Sequence, residues 1–315
     1  MGSRIAKILN AAGTPCVVAS RSGESVAGVP GVRLDWADRS TWEPALATIP
    51  SLRAVYIIMP AIVEARATAA DFLDLVLARF GDGGKNKLRF VLQSASAIEE
   101  GGPFMGGVHA LLRERGERGE LGWAVLRPSW FQRKSEFQSG RRIILLLIHY
   151  DPMLTFTLTD NFITHHASSI KTENKIYSAT GPGRAPFVSA DDIAETAVHA
   201  LTADESPNCA YLVLGPEELS YSDVAATLTS VLGRTITHQN LTAAELTERF
   251  LAAGLPPEYA PSLAALDTAI KDGSEEGLGA GHVLEVTGHP PRSFKGFVEE
   301  HRDVWTFKGE EDGCW

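Results

Sequence analysis

Short apolar runs separated by helix-like segments fill residues 1–130, and this alternation narrows the fold more than any other feature of the chain. "PCVVAS", "GVRLDW", "LRAVYIIMP", "KLRFVLQSAS" and "GWAVLRPSWF" each read as a short strand. "IAKILNAAG" places apolar residues at 5, 8 and 9 and ends at Gly13, a helix C-cap. "DRSTWEPALATI" offers Asp38 or Ser40 as a helix cap. Residues 62–80 carry helical periodicity up to "GDGG", and another helix is expected near 104–115. Such alternation predicts a parallel sheet covered on both faces. Further on, "KIYSATGPGRAPFVSADDIAETAVHAL" reads as strand, Gly/Pro loop, short strand and helix, with Ser189 or Asp191 as the cap. From 241 the chain is mostly helical, broken at "GLPPEY" and "GHPPRS".

Composition removes several functions. At 315 residues and 44% hydrophobic, the chain can bury a large core. Its formal net charge of -10 argues against a nucleic-acid partner, which would require a basic face. Cys16, Cys209 and Cys314 form neither a metal spacing nor a disulfide framework, which suits a reduced, cytoplasmic protein. No basic-apolar-small signal segment opens the sequence. The longest aliphatic run, "IILLLI" at 143–148, is far short of the roughly 20 residues of a membrane span. His165 and His166 are adjacent, so they do not share a helix face, and no metal site is expected.

Ligands of parallel sheets bind beyond the carboxyl ends of the strands. A dinucleotide fold places a glycine-rich turn before its first helix, and Gly2, just ahead of "SRIAKIL", fits the third small position of that turn. The residue that reads the adenosine ribose closes the second strand. There the chain has Arg21, followed by Ser22, where an NAD enzyme has Asp or Glu. A guanidinium suits a 2′-phosphate, so the expected cofactor is NADPH. At the other strand ends, Asp35, Trp36, Met59, Pro60, Ser94, Ala95, Ser96, Pro128, Ser129 and Trp130 are expected to bind the cofactor, with Asp35 accepting from the adenine amino group, Met59 and Pro60 flanking the adenosine, and Ser94 and Pro128 lining the nicotinamide; taken singly, each also reads as an ordinary turn residue.

Short-chain dehydrogenases place a Tyr-x-x-x-Lys pair about a dozen residues beyond such a serine. Here Met105 stands at the tyrosine place and His109 at the lysine place. A ketone needs a proton on its developing alkoxide, and Met cannot supply one. An iminium carbon is already cationic, so hydride alone suffices. His109 is the candidate catalytic residue, as a weak acid or a binder of the nicotinamide ribose; it reads equally as a plain helix residue.

"SRIAKIL", "VASRSG", "FVLQSAS", "WAVLRPSWF", "NKIYSATGPGRAPFVSADDIA", "YLVLGPEELSY", "VLGRTITH", "LAALDTAIKDGSEE" and "VTGHPPRSFKGFVEE" resemble the fungal ergot-alkaloid dehydrogenases, the festuclavine and agroclavine dehydrogenase group of the NmrA-like atypical short-chain dehydrogenases. The resemblance covers most of residues 2–305. It implies NADPH-dependent reduction of a cyclic iminium derived from chanoclavine-I aldehyde, a small-molecule alkaloid partner, and Phe131 and Phe162 at the substrate pocket. The family begins with a strand and "GG-x-G-K-T", so the expected fold is an α/β, Rossmann-like doubly wound parallel sheet with its first strand truncated and a smaller C-terminal α/β substrate lobe. The expected divisions are a dinucleotide-binding region at 1–131, an atypical insertion at 132–160, the rest of the fold with the substrate lobe at 161–305, and a tail at 306–315. The alternative readings are a non-catalytic NmrA-like dinucleotide-binding regulator and the inactive product of a truncated gene model.

Overall fold

The computed structural model describes residues 1–60, 62, 64–81, 87–132, 161–255, 257 and 260–306. All but the first residue of the expected insertion at 132–160, and all but the first of the expected tail at 306–315, lie outside these residues. The chain runs α1 (Gly2–Ala11), β1 (Thr14–Pro15), β2 (Val18–Ser20), β3 (Gly31–Arg33), α2 (Trp42–Ala47), β4 (Ala54–Ile57), α3 (Ala65–Phe80), β5 (Arg89–Gln93), α4 (Met105–Glu117), β6 (Gly122–Pro128) and β7 (Phe131–Gln132). It continues with α5 (Asn161–Glu173), β8 (Lys175–Ser178), β9 (Arg184–Pro186), β10 (Val188–Ser189), α6 (Ala190–Thr202), β11 (Cys209–Val213), β12 (Glu218–Ser220), α7 (Tyr221–Leu232) and β13 (Thr237–Asn240). The last helices are α8 (Ala243–Ala252), α9 (Ala260–Lys271), α10 (Val283–Thr287), α11 (Phe294–Glu300) and α12 (Arg302–Trp305).

Four parallel strands form the main sheet in the order β4-β5-β6-β11, with Val55 opposite Phe90, Val91 opposite Ala124 and Leu126 opposite Tyr211. Alternate residues point to opposite faces. Ala54 and Tyr56 join Ile5 and Leu9 of α1 and Ile193 and Ala197 of α6 on one face. Val55 and Ile57 join Phe72 and Leu73 of α3 and Val108 and Leu112 of α4 on the other. This is the predicted sheet with both faces covered, an α/β Rossmann-type arrangement.

The parallel pair β2-β3 forms a separate sheet, with Ala19 opposite Val32. Its residues nevertheless enter the same two cores, Ala19 on the α3 side and Val18 on the α1 side. Both sheets therefore lie in one layer, split between β2 and β4, where the truncated first strand was expected. Among the described residues no strand pairs with the outer edge of β4. The split is bridged by a side chain: Trp36, beyond β3, donates its indole N–H to the carbonyl of Ile58, beyond β4, at 3.0 Å.

The second lobe has its own core, made by Ile170 of α5, Ile176 of β8, Phe187, Tyr221 and Leu228 of α7, Phe294 and Phe297 of α11, and Trp305 of α12. Ser189 caps α6 by accepting from the Asp191 N–H at 3.1 Å, as its position in "VSADD" predicts. Through α6 and β11 the chain returns to the first sheet, so the two lobes are interleaved in sequence. Among the described residues no helix is long and apolar enough to cross a membrane.

Asp267 of α9 is buried beneath this lobe, where it accepts the Ala179 N–H at 2.7 Å. Burial pushes its carboxyl up to about 7, against that hydrogen bond. The folded-state value lies above the unfolded one, so the folded state binds the extra proton. Stability therefore falls as pH rises from about 4 to about 7 and levels off above that. The gross linkage is about 4 kcal/mol, and an amide at this position would bury unpaired N–H groups at about 1–3 kcal/mol. Asp267→Asn is accordingly expected to raise stability at pH 8 by about 1–3 kcal/mol and to flatten the pH dependence. Urea denaturation at pH 5 and pH 8 reads both.

Candidate active site

Parallel pairing aligns the carboxyl ends of β4, β5 and β6 and, separately, those of β2 and β3, and Trp36 beyond β3 bonds to Ile58 beyond β4, which brings the two sets together. Backbone bonds extend the ladder beyond the strands: Ser94 N–H donates to Leu126 O at 2.8 Å and Ser96 N–H to Pro128 O at 2.9 Å. Ser94, Ala95, Ser96, Pro128, Ser129 and Trp130 thus come together in one cleft, as expected. Its opposite wall is Leu266, Ala269 and Ile270 of α9, followed by Ser274 and Glu275.

Glu275 is the one titratable side chain that lines this cleft among the described residues. It is only 3% exposed. Ser96 Oγ donates to its carboxylate, 2.8 Å from each oxygen, and Ser129 Oγ donates to Oε2 at 2.8 Å. Burial pushes its carboxyl above the ordinary range, against the two serine hydroxyls and the field of Arg127. Arg127 does not pair with it; that guanidinium donates to Ser96 O at 2.7 Å and to Glu99 at 2.6 Å. Ser94 is 4% exposed, and its buried hydroxyl has no hydrogen-bond partner among the described residues. A buried hydroxyl of this kind can pair with a ligand's polar atom. In sequence Glu275 is one of two adjacent carboxylates in a glycine-rich stretch, which normally marks a solvated turn, so nothing local singles it out.

The remaining candidates lie along the same edge with different surroundings. Gly2 is buried at the first turn of α1, the end of that helix where backbone N–H groups are free to meet an anion. Arg21 is half-buried directly after β2, and Ser22 beside it is exposed. Ser20 Oγ accepts the Gly23 N–H at 2.9 Å, and Gly23 turns the chain at φ +71°. Asp35 caps its own turn by accepting the Ala37 N–H at 3.0 Å. Trp36 and Met59 are buried in the core on the α3 side, Trp36 edge-on to Trp42 and Phe72, and Pro60 is half-buried beyond Met59. Phe131 pairs with Val188 on the two-stranded β7-β10 ribbon.

Two expected site residues are not brought to the cleft. His109 projects from α4 into the layer between that helix and the sheet, with its ring 5.9 Å from the Trp123 ring and Nε2 3.8 Å from Glu100. It lies on the helix face that also carries Val108 and Leu112, and burial lowers its basicity. Phe162 is 1% exposed at the centre of the second lobe, where Phe187, Phe294 and Trp305 meet it edge-on.

A second cavity, of about 270 Å³, opens at the first turns of α1 and α6, between Arg4, Ser189, Asp191, Arg292 and Ser293. Its two arginines are paired, Arg4 to Asp191 and Arg292 to Asp192 and Glu195. Asp192, Glu195 and His289 bring three ligand atoms within 4.8 Å of one another, but the Arg292 guanidinium already binds both carboxylates.

The chain is 36% identical over 309 residues to festuclavine synthase II of Penicillium roqueforti, covering 96% of this chain and 95% of that protein. It is 38% identical over 311 residues to a festuclavine dehydrogenase of Aspergillus fumigatus, covering 96% and 94%. It is 35% identical over 307 residues to an agroclavine dehydrogenase of Claviceps fusiformis, also covering 96% and 94%. No family profile matches the chain. Among solved structures, an NADPH-dependent quinone oxidoreductase of Escherichia coli superposes with a TM-score of 0.65 at 15% identity, covering 96% of this chain and 95% of that one. A triphenylmethane reductase of Citrobacter in complex with NADP(H) gives 0.62 at 14% identity, covering 90% and 99%. At these identities the structural likeness speaks for the fold.

Proposed function

We propose that this chain, which belongs to the festuclavine and agroclavine dehydrogenase family, is an NADPH-dependent oxidoreductase that reduces a cyclic iminium derived from chanoclavine-I aldehyde. The observation that carries the reading is identity of more than a third to festuclavine dehydrogenases along nearly the whole chain.

The residues at the strand ends suit the cofactor. Arg21 meets the 2′-phosphate, the first turn of α1 at Gly2 meets the pyrophosphate, and Asp35 and Pro60 flank the adenosine. Ser94, whose hydroxyl is unpartnered, offers a hydrogen bond to the nicotinamide, with Pro128 and Trp130 beside it. When bound, NADPH supplies the hydride. The chain's own part is to orient the acceptor and exclude water: Trp130 beside the serines and the apolar face of α9 across from them close the cleft. The second lobe, which contributes α9 and Glu275, is the substrate side. An iminium carbon accepts hydride without a proton, which agrees with the absence of tyrosine, lysine and histidine from the cleft lining among the described residues.

The test is NADPH consumption with a cyclic iminium, followed by absorbance alongside NADH and a matched cyclic ketone. Consumption of NADPH with the iminium, slower with NADH and with the ketone, is expected. NADPH bound but never consumed would instead identify a dinucleotide-binding regulator.

A further inference from the structure

We infer that Glu275 is the recognition residue for the substrate's positive charge: its buried carboxylate is the counter-ion that selects a cationic ring over an uncharged one. The inference rests on the iminium reading above and deepens it, because the relatives do not say how this cleft would tell an iminium from a neutral carbonyl.

The geometry supports it in three ways. First, among the described residues the carboxylate has no cationic partner: its hydrogen bonds come from two neutral hydroxyls, and Arg127 is committed to Glu99 and Ser96 O. A buried carboxylate without a counter-ion is costly, so such a site gains most from a ligand that brings the missing charge. Second, the two serines that hold it, Ser96 and Ser129, stand at the carboxyl ends of β5 and β6, where sheet ligands bind. The charge therefore sits beside the site of hydride delivery. Third, a ligand that enters here has to take the carboxylate from its serines. The cavity beside it holds only about 40 Å³, enough for little more than a water. The segment that carries it is flanked by Gly273 at φ +88° and Gly277 at φ +70°, backbone conformations that glycine adopts at little cost. A ring entering the cleft would displace the carboxylate from its serines and pair with it.

The kinetic signature follows from where the charge goes. Hydride transfer removes the positive charge from the ring, so the ion pair is stronger in the bound substrate than in the transition state. Binding energy of that kind lowers KM without raising kcat. Glu275→Gln is therefore expected to raise KM for a cyclic iminium at least about tenfold, with kcat unchanged or higher. A carboxyl acting as proton donor would instead show a fall in kcat.

The deciding experiment is calorimetric titration of the full chain with NADPH present. The probes are 4,4-dimethylmorpholinium, a cation that cannot be reduced, and its uncharged isostere 4,4-dimethyltetrahydropyran. The wild type is expected to prefer the cation at least about tenfold, Glu275→Gln to lose that preference, and Glu275→Asp to keep part of it. Equal affinity of the wild type for the two probes, or a preference that survives in Glu275→Gln, would overturn the inference. The wild-type comparison stands even if the glutamine variant does not fold. If the wild type prefers the cation yet consumes no NADPH with any cyclic iminium, the assigned reaction fails while the cation site stands.

Discussion

Phe162→Ala is expected to destabilise the protein by about 3–5 kcal/mol, the range for removing a fully buried aromatic ring. Phe162 sits where α5, α7, α11 and α12 converge, its ring within 6.1 Å, centroid to centroid, of those of Phe187, Phe294 and Trp305. Its neighbours Phe187, Phe294 and Trp305 are themselves large rings packed edge-on against it, so the void would not close by small shifts. At about 2–4 °C per kcal/mol for a domain of 150–250 residues, the melting temperature should drop by roughly 10 °C. Differential scanning calorimetry reads this directly. If Phe162 were a wall of the substrate pocket, as its family position implies, the variant would keep its melting temperature and lose only substrate affinity.

Arg21→Glu is expected to weaken NADPH binding about 100-fold or more, while NADH binding changes far less. The estimate is the cost of losing, and then reversing, a charge that pairs with a phosphate, about 2–5 kcal/mol. Arg21 follows β2 directly, and the turn behind it is fixed by the Ser20–Gly23 hydrogen bond, so its side chain springs from a fixed turn rather than from a long loop. Glutamate at that place can accept from the two ribose hydroxyls of NADH and repels a 2′-phosphate. Fluorescence titration with both dinucleotides measures the ratio. An NADPH preference that survives the substitution would place phosphate recognition on another group.

The sheet could be read from the sequence because its strands are short apolar runs stopped by turn residues, and burial on both faces demands such runs. "LRAVYIIMP" became β4 and "KLRFVLQSAS" became β5. Periodicity likewise placed α3 at Ala65–Phe80 and α4 at Met105–Glu117, each within three residues of expectation. The expected cleft residues at the ends of β5 and β6 did come together, because topology alone carries them there. The individual side chains were harder to place. Trp36 and Met59 end up in the core because α3 offers them Phe72 and its neighbours, a tertiary fact with no local signal. His109 follows the apolar stripe of its helix inward. Glu275 was missed for the opposite reason. A charge pair between glycines looks solvated, and only the fold shows that two serines distant in sequence hold one of the carboxylates in a buried cleft.

The most direct test of the account is the fate of a labelled hydride. The protein is mixed with NADPH that carries deuterium at the transferable position and with a cyclic iminium, and the product amine is examined by mass spectrometry and NMR. The account predicts one deuterium, bonded to the former iminium carbon, in an amount equal to the NADPH consumed. Amine without deuterium, or the same yield of label from equally deuterated NADH, would contradict it.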